Sequence, residues 1–104
     1  MHSMVYVTTK DEEEARRIVR HLVSQGLVAC GNIFPIQSIY SWRGEVQEEE
    51  EIAIIMKTRT SLVERVIEEV GKAHSYEVPC AVSYPMGRGL ASYLAWIDES
   101  TSRG

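Results

Sequence analysis

The sequence predicts an α+β fold, in which an antiparallel four-stranded sheet carries two helices on one face. Two stretches of the chain have apolar residues at helical spacing, and short β-rich runs lie between and beyond them. The stretch at residues 29–58 predicts two long strands that fold back on each other at Arg43 and Gly44. This long hairpin is expected to project from the sheet.

The first strand is predicted at residues 4–8, and the first helix follows it. Thr9 and Glu12 match a capping box, in which each side chain satisfies a free backbone N–H at the start of a helix. One buried helical stripe follows, made by Ala15, Ile18, Val19, Leu22 and Val23. Gly26 is the expected stop of this helix.

The hairpin consists of a second strand at residues 27–42 and a third at residues 45–57. Pro35 has no N–H to donate, so we expect a bulge or bend there. The third strand is about twice the usual ~5–6 residues. A chain of 104 residues has too little sheet to pair all of it, so part of the hairpin should carry a free edge that another chain covers.

The second half of the chain predicts a helix, a strand and a further helix. Ser61 and Glu64 form a second capping-box pattern, and the helix that follows buries Leu62, Val63, Val66, Ile67 and Val70. A fourth strand is predicted at residues 78–84. A short C-terminal helix is predicted from the stripe Leu90, Tyr93, Leu94 and Ile97. Trp96 lies off this stripe, so we expect it to pack outside the subunit's own core.

The resulting order is β-α-β-β-α-β with an added C-terminal helix. It is the order of the ferredoxin-like split βαβ fold. We therefore expect a single ferredoxin-like domain over residues 1–104. The sheet face away from the helices must be solvated, bind a ligand or pack on a partner.

Composition narrows the possible partners and the compartment. The net charge is −4, from 15 acidic and 11 basic residues, which disfavours binding to a nucleic-acid backbone. The two cysteines have no close spacing, so a reduced cytoplasmic setting is expected rather than a disulfide framework. No signal-peptide pattern opens the sequence, and the longest apolar run, residues 52–56, is far too short to span a bilayer.

Cys30 and His74 are the first candidates for chemistry. Thiolate and imidazole suit copper or zinc, and Cys80 or Glu77 could add a third ligand. The sequence lacks the closely spaced Cys or His pairs of dedicated metal sites. The alternative is that both cysteines are small core residues and that His74 is hydrogen-bonded at a helix end.

The projecting hairpin carries the second group of candidates. Residues 48–51 are four glutamates that a strand divides between its two faces, so Glu49 and Glu51 share one face. They suit weak cation binding, a solvated strand that discourages edge pairing, or ion pairs with a neighbouring chain. Tyr40 and Trp42 also share one face, and exposed aromatic rings on a hairpin favour a subunit interface.

Read together, several short motifs resemble the CutA family of divalent-cation-tolerance proteins. The motifs are Ala29-Cys30-x-Asn32-Ile33, Ser38-x-Tyr40-x-Trp42-x-Gly44, Glu49-x-Glu51, Lys57-Thr58, His74-x-Tyr76-x-x-Pro79 and Tyr93-x-x-Trp96. The resemblance implies a ferredoxin-like subunit assembled into a homotrimer by interlocking hairpins. It also implies an association with divalent metals, copper among them, and brings no established enzymatic reaction.

The resemblance assigns expected roles to individual residues. It implies a ligand pocket between subunits near Cys30, Asn32, Lys57, His74 and Tyr76. The trimer interface is expected at Tyr40, Trp42, Glu49, Glu51 and Trp96. This chain departs from the family pattern after His74: Ser75 replaces a proline, and Cys80 replaces a carboxylate, which exchanges a hard oxygen ligand for a soft sulfur.

Two alternatives remain open at this point. One is a signalling trimer that senses a metabolite or a small anion held by Lys57 in the cleft between subunits. The other is a hydrolase with Cys30 as nucleophile and His74 as base, for which the two side chains must lie within ~2.6–3.2 Å of each other. Asn32 would be available to an acylphosphatase-like variant of that hydrolase.

Overall fold

Four strands and three helices make up the part of the chain, residues 1–101, that this computed structural model describes. In chain order they are β1 (His2–Thr9), α1 (Glu12–Ser24), β2 (Cys30–Trp42), β3 (Glu45–Arg59), α2 (Val63–Ala73), β4 (Ala81–Pro85) and α3 (Ala91–Ser100). The strands form one sheet in the order β2-β3-β1-β4, and every neighbouring pair is antiparallel. The predicted α+β class, the order of elements along the chain and the antiparallel four-stranded sheet are confirmed.

The two faces of the sheet have different surroundings. Val5 and Val7 of β1 point to the same side as their β3 partners Met56 and Ile54, and all four are buried. They pack against the apolar stripes of α1 and α2, including Ala15, Ile18, Leu22, Val66 and Val70. The opposite side, which we call the open face, carries the intervening residues of each strand, and α3 covers only one end of it.

The hairpin projects beyond the rest of the sheet. β1 pairs with β3 only from Ile52 to Arg59, so residues 45–51 of β3 have no strand on that side. The chain measures 45 × 25 × 21 Å, with a radius of gyration of 14.2 Å. A compact chain of this length is expected near 13 Å, about 1 Å less. The predicted projection of the hairpin is confirmed.

The start of α1 differs from its prediction. The N-cap residue is Asp11, whose side chain accepts a hydrogen bond from the Glu14 N–H at 2.8 Å. Glu14 reaches back to the Lys10 N–H, so a capping-box arrangement forms two residues later than predicted. Thr9 instead ends β1 and donates its hydroxyl to the Ile52 carbonyl oxygen, because β1 is longer than its apolar pattern suggests.

Three further predictions are corrected. α2 begins at Val63 after a short 3-10 turn at Thr60–Leu62 and has no side-chain cap, so Ser61 does not cap it. β4 begins at Ala81, because residues 74–80 form the loop that leads to it. Pro35 causes no bulge, since the β2–β3 register is continuous from Phe34 to Ile36. β2 is an edge strand, where a missing N–H can face away from the ladder.

We predict that Gly31→Ala destabilises the fold by about 1–3 kcal/mol. A Cβ at Gly31 would lie 2.8 and 2.9 Å from the two methyl carbons of Val19 and 3.2 Å from the Met56 Cγ. The matched control is Gly71→Ala in α2, where a Cβ meets nothing within 4 Å. That change should stabilise the protein by about 0.5–1 kcal/mol. Urea unfolding of both variants measures the difference, and equal stabilities would contradict the close packing of β2 on α1.

Candidate functional site

A cleft of about 880 Å³ lies between the open face of the hairpin and residues 76–80 of the loop before β4. Successive side chains of a strand point to opposite faces of the sheet. In this register the aromatic rings of β2 and the carboxylates Glu49 and Glu51 of β3 therefore point to the open face. The groups that carry its chemistry are Tyr40, Trp42, Glu49, Glu51, Tyr76, Glu77 and Cys80. We call this site the acidic cleft. Six of the seven were named from the sequence as site or interface residues, and Glu77 as a possible ligand.

The hairpin fixes the outer half of the acidic cleft. Tyr40 pairs with Gln47 in the ladder, and its hydroxyl donates a hydrogen bond to the diagonal neighbour Glu49. This hydrogen bond, together with partial burial and the nearby Glu49 and Glu51 charges, raises the pKa of Tyr40 to about 12. Tyr40 is therefore a neutral donor at physiological pH, and the Glu49 carboxylate is held against it.

Glu51 and Tyr76 form the inner half of the acidic cleft. The Tyr76 hydroxyl donates to Oε2 of Glu51 at 2.6 Å, although Glu51 is only 8% exposed. Burial raises the pKa of Tyr76, and the hydrogen bond to Glu51 and the neighbouring carboxylates raise it further. Glu51 lines the acidic cleft with this carboxylate, whose Oε2 is the atom that Tyr76 holds.

His74 anchors the loop that carries Tyr76. Its side chain is fully buried, its Nε2 donates to the Thr8 carbonyl oxygen at 2.7 Å, and its Nδ1 accepts from the Tyr76 N–H at 3.1 Å. Its ring lies 4.7 Å from the Tyr76 ring. Both nitrogens are thus occupied. The structure places His74 in the hydrogen-bonded helix-end role that the sequence left open, with no lone pair facing the cleft.

Glu14 of α1 is the second anchor of the same loop. Its side chain is 1% exposed and accepts from the Ser75 N–H at 2.8 Å as well as from Lys10. Burial alone would raise the pKa of Glu14, but the hydrogen bonds from Ser75 and Lys10 and the nearby His74 outweigh it and lower that pKa. The sequence showed Glu14 only as one of several acidic residues in a first helical turn, which is why its role was missed.

The remaining predicted residues form a separate cluster at the opposite end of the sheet. Cys30 lies directly across from Lys57, whose Nζ donates to the side-chain oxygen of Asn32. The Cys30 sulfur lies 3.8 Å from the Tyr93 hydroxyl, and burial, followed by the contact with Cys30, raises the pKa of Tyr93. The Tyr93 ring in turn lies 5.6 Å from the ring of Trp96.

Within one subunit, therefore, Cys30 and His74 do not share a site. Cys30 begins β2 beside Lys57, which pairs with Met4, whereas His74 contacts Thr8 at the other end of β1. Both β2 and β4 follow a helix, but they run in opposite directions, so their first residues lie at opposite ends of the sheet. Within a subunit the hydrogen-bonded pair needed for a Cys/His hydrolase does not form.

Comparison with known proteins identifies the family. The pattern of the family described as CutA1 divalent ion tolerance protein matches residues 3–100. The chain belongs to the CutA1 family. It is 44% identical over 100 residues to the divalent-cation tolerance protein CutA of Archaeoglobus fulgidus, with 96% of this chain and 98% of the relative covered. The CutA protein of Thermus thermophilus is 41% identical, with 97% and 99% covered.

Solved structures of CutA proteins share the fold. The A. fulgidus structure, described as a periplasmic divalent cation tolerance protein, superposes with a TM-score of 0.95 over 97% of this chain and 99% of that one. The T. thermophilus structure has a TM-score of 0.93 over the same shares of the two chains. Some CutA relatives are longer: the chain spans 54% of the chloroplastic CutA of Arabidopsis thaliana.

In residues 1–101 no three His, Cys, Asp or Glu side chains converge as a ready metal site. None of the described helices is both long and apolar enough to cross a membrane. The groups of the acidic cleft therefore do not form a closed cation site within a single subunit.

We predict that Glu14→Gln destabilises the protein by about 1–3 kcal/mol at neutral pH, because a buried N–H of Lys10 or Ser75 loses its charged acceptor. The folded-state pKa of Glu14 lies below its ordinary value of 4.5. The stabilisation is therefore complete above about pH 4.5 and disappears as the pH falls through the folded-state pKa. Urea unfolding should show the difference between wild type and variant narrowing in acid. Glu13→Gln on the exposed side of α1 is the control and should change little.

Proposed function

We propose that the protein is a homotrimeric divalent-cation-binding protein of the tolerance type, built from one-domain subunits. Its metal, with copper as the first candidate, binds in the acidic cleft, which a neighbouring subunit completes. The observation that carries this proposal is that Glu49, Glu51, Glu77 and Cys80 all line one cleft. The family name, divalent ion tolerance, supports it.

The metal chemistry follows from the groups in the cleft. Carboxylate oxygens bind hard divalent cations, whereas a thiolate shifts preference toward copper and zinc. Glu51 and Cys80 both line the cleft, Glu51 from the hairpin and Cys80 from the loop before β4. Because these groups do not converge within one subunit, ligands from a second subunit would have to close the coordination sphere.

The trimer is supported by the hairpin. Residues 45–51 of β3 have a free edge, and an exposed edge of this length invites pairing with another chain. Ile39 and Val46 on this hairpin are 71% and 74% exposed. Tyr40 and Trp42 each keep more than a third of their surface exposed on its other face. We propose that these four residues, with Glu49, Glu51 and Trp96, contribute to the subunit interface.

Anion or metabolite sensing is the second candidate, and the Lys57 cluster favours it. The Lys57 ammonium and the Asn32 amide stand at the Cys30 end of the sheet, on the open face beside α3. An ammonium next to an amide suits a carboxylate or a phosphate rather than a metal ion. A rise in melting temperature with such anions, and none with metals, would favour this reading.

We expect the protein to work in the cytoplasm, with no nucleic-acid partner. The support is its two free cysteines and its net charge of −4. The A. fulgidus structure is described as periplasmic, so the compartment needs its own measurement. Fractionation of the source cells followed by immunoblotting supplies it.

We predict saturable binding of Cu²⁺ or Zn²⁺ at a fixed ratio per subunit, measured by isothermal titration calorimetry. Glu51→Gln and Cys80→Ser should each weaken binding about tenfold or more, as loss of a ligand or of its hydrogen-bonded support does elsewhere. Cys30→Ser removes a thiol at the far end of the sheet and is the matched control. Equal weakening in the control, or binding that never saturates, would exclude the acidic cleft as the metal site.

We predict that Ile39→Lys and Val46→Lys lower the mass measured by light scattering from trimer to monomer. Placing an ammonium in a buried interface costs more than such a contact gains. Val23→Lys is the control, because Val23 is 41% exposed on α1, away from the hairpin. A trimer that survives both hairpin changes would show that the projecting hairpin does not hold the subunits together.

A further inference from the structure

The hydrogen bonds of the buried His74 side chain fit only its neutral form. A carbonyl oxygen can only accept, so the 2.7 Å contact with the Thr8 carbonyl requires a proton on Nε2. A backbone N–H can only donate, so the 3.1 Å contact with the Tyr76 N–H requires a lone pair on Nδ1. These two partners fix the neutral tautomer with its proton on Nε2.

A proton added to Nδ1 of His74 would set two donors against each other. It would point at the Tyr76 N–H, so the hydrogen bond that anchors the loop would become a repulsive contact. Another acceptor lies close by, because Oε2 of Glu14 is 3.9 Å from Nδ1. A shift of about 1 Å would bring the imidazolium and the carboxylate into a charge-assisted hydrogen bond.

Glu14 is ionised and already engaged when His74 is neutral. Its Oε2, the oxygen nearest His74, accepts from the Ser75 N–H at 2.8 Å, and its Oε1 accepts from the Lys10 N–H. Burial raises the pKa of Glu14, but these hydrogen bonds outweigh it and keep that pKa below 4.5. The carboxylate is therefore charged throughout the range of about pH 5–8 in which histidine titrates.

The other groups around His74 compete weakly for this carboxylate or carry no charge. Nη2 of Arg17 lies 3.6 Å from Oε2 of Glu14, but the Arg17 side chain is 55% exposed, so solvent weakens that pair. The Tyr76 ring lies 4.7 Å from the imidazole, and its neutral hydroxyl points away to Glu51. β1 presents only a backbone carbonyl to the imidazole.

Ser75 gives this chain two alternative sets of hydrogen bonds. The family resemblance implies a proline at this position, and proline has no N–H with which to hold Glu14. Here the Ser75 N–H occupies the Glu14 oxygen that an imidazolium would need. Either Ser75 or a charged His74 can therefore have that oxygen at close range, and the choice depends on one proton.

We propose that His74 and Glu14 form a pH-sensitive switch that holds or releases the Tyr76 loop, residues 74–80. In the closed state His74 is neutral and binds the Tyr76 N–H, while Glu14 binds Ser75. In the open state His74 has taken one proton from solvent and pairs with Glu14, so both loop N–H groups are released. Tyr76 then no longer holds Glu51, and acid loosens the inner wall of the acidic cleft.

The switch belongs to one subunit and needs no bound metal. Because the open state holds one more proton than the closed state, its relative population rises by up to tenfold for each unit by which the pH falls. This regulation goes beyond the proposed metal binding, and the loop can be observed without any metal present.

The first experiment is a titration of the ¹⁵N-labelled protein from pH 8 to pH 5, followed by NMR. We expect the ring nitrogens of His74 to change from the Nε2-protonated neutral form to the imidazolium. The Tyr76 backbone amide should shift with the same midpoint. His21, which contacts Glu69 on the outer side of the helices, titrates in the same sample, and the Tyr76 amide should not follow it.

Two variants should move the His74 midpoint in opposite directions. Ser75→Pro frees Glu14 for the imidazolium and should raise the midpoint by about one pH unit. The ψ of 144° at His74 is the extended value that a residue before proline adopts. Glu14→Gln removes the counter-charge and should lower the midpoint by about one unit. A merely structural role would loosen the loop in both variants without opposite shifts, and His21 should be unchanged in both.

Three results would overturn the proposal. They are a His74 ring that stays neutral until the protein unfolds, a Tyr76 amide that does not move with His74, and midpoint shifts of the same sign in the two variants. Light scattering at both ends of the titration provides a fourth test, since an amide change that follows dissociation rather than His74 charge would assign the effect to assembly. Failure of Cu²⁺ to bind would reject the metal proposal and leave the switch standing.

Discussion

The pairing register of β2 with β3 is the constraint on which the rest of the structure depends. The two-residue turn, with positive φ at both Arg43 and Gly44, sets that register from Trp42 opposite Glu45 down to Cys30 opposite Lys57. A slip of one residue would turn every side chain to the other face. The alternation of side chains that buries Ile54 and Met56 against the helices therefore also turns the aromatic and acidic side chains toward the cleft.

Glu51 lies at the boundary between the part of β3 that is inside the sheet and the part that projects from it. On one side of it β3 is held between β2 and β1, and on the other it runs on with β2 alone. The alternation of side chains along β3 places the Glu51 carboxylate on the open face at this boundary, where it is nearly buried. Burying a carboxylate is costly, and the hydrogen bond from the Tyr76 hydroxyl offsets part of that cost. Because Glu14 and His74 hold the Tyr76 loop, the inner wall of the cleft depends on contacts made on the helix side of the domain.

Local pattern predicted the hairpin and the shared face of Tyr40 and Trp42, because periodicity depends only on neighbours in the chain. It also predicted both helical stripes, except that Val23, placed in the first, is 41% exposed. It missed the Asp11 cap, since β1 extends two residues beyond its apolar run. Strand direction, which local pattern does not give, places Cys30 and His74 at opposite ends of the sheet of one subunit. Their predicted meeting between two subunits stays a prediction. The Arg43–Glu77 contact joins residues 34 apart and has no local sequence signal.

The donors proposed for the metal come from two parts of the fold. Glu49 and Glu51 belong to β3, and the strand register alone sets the face to which they point. Cys80 belongs to the loop before β4 and lies where the family resemblance implies a carboxylate, so a soft sulfur stands in place of a hard oxygen. This replacement lowers the negative charge that faces a hard metal ion and favours a softer ion such as copper. The identity of the proposed metal therefore depends on Cys80 more than on the carboxylates of the strand.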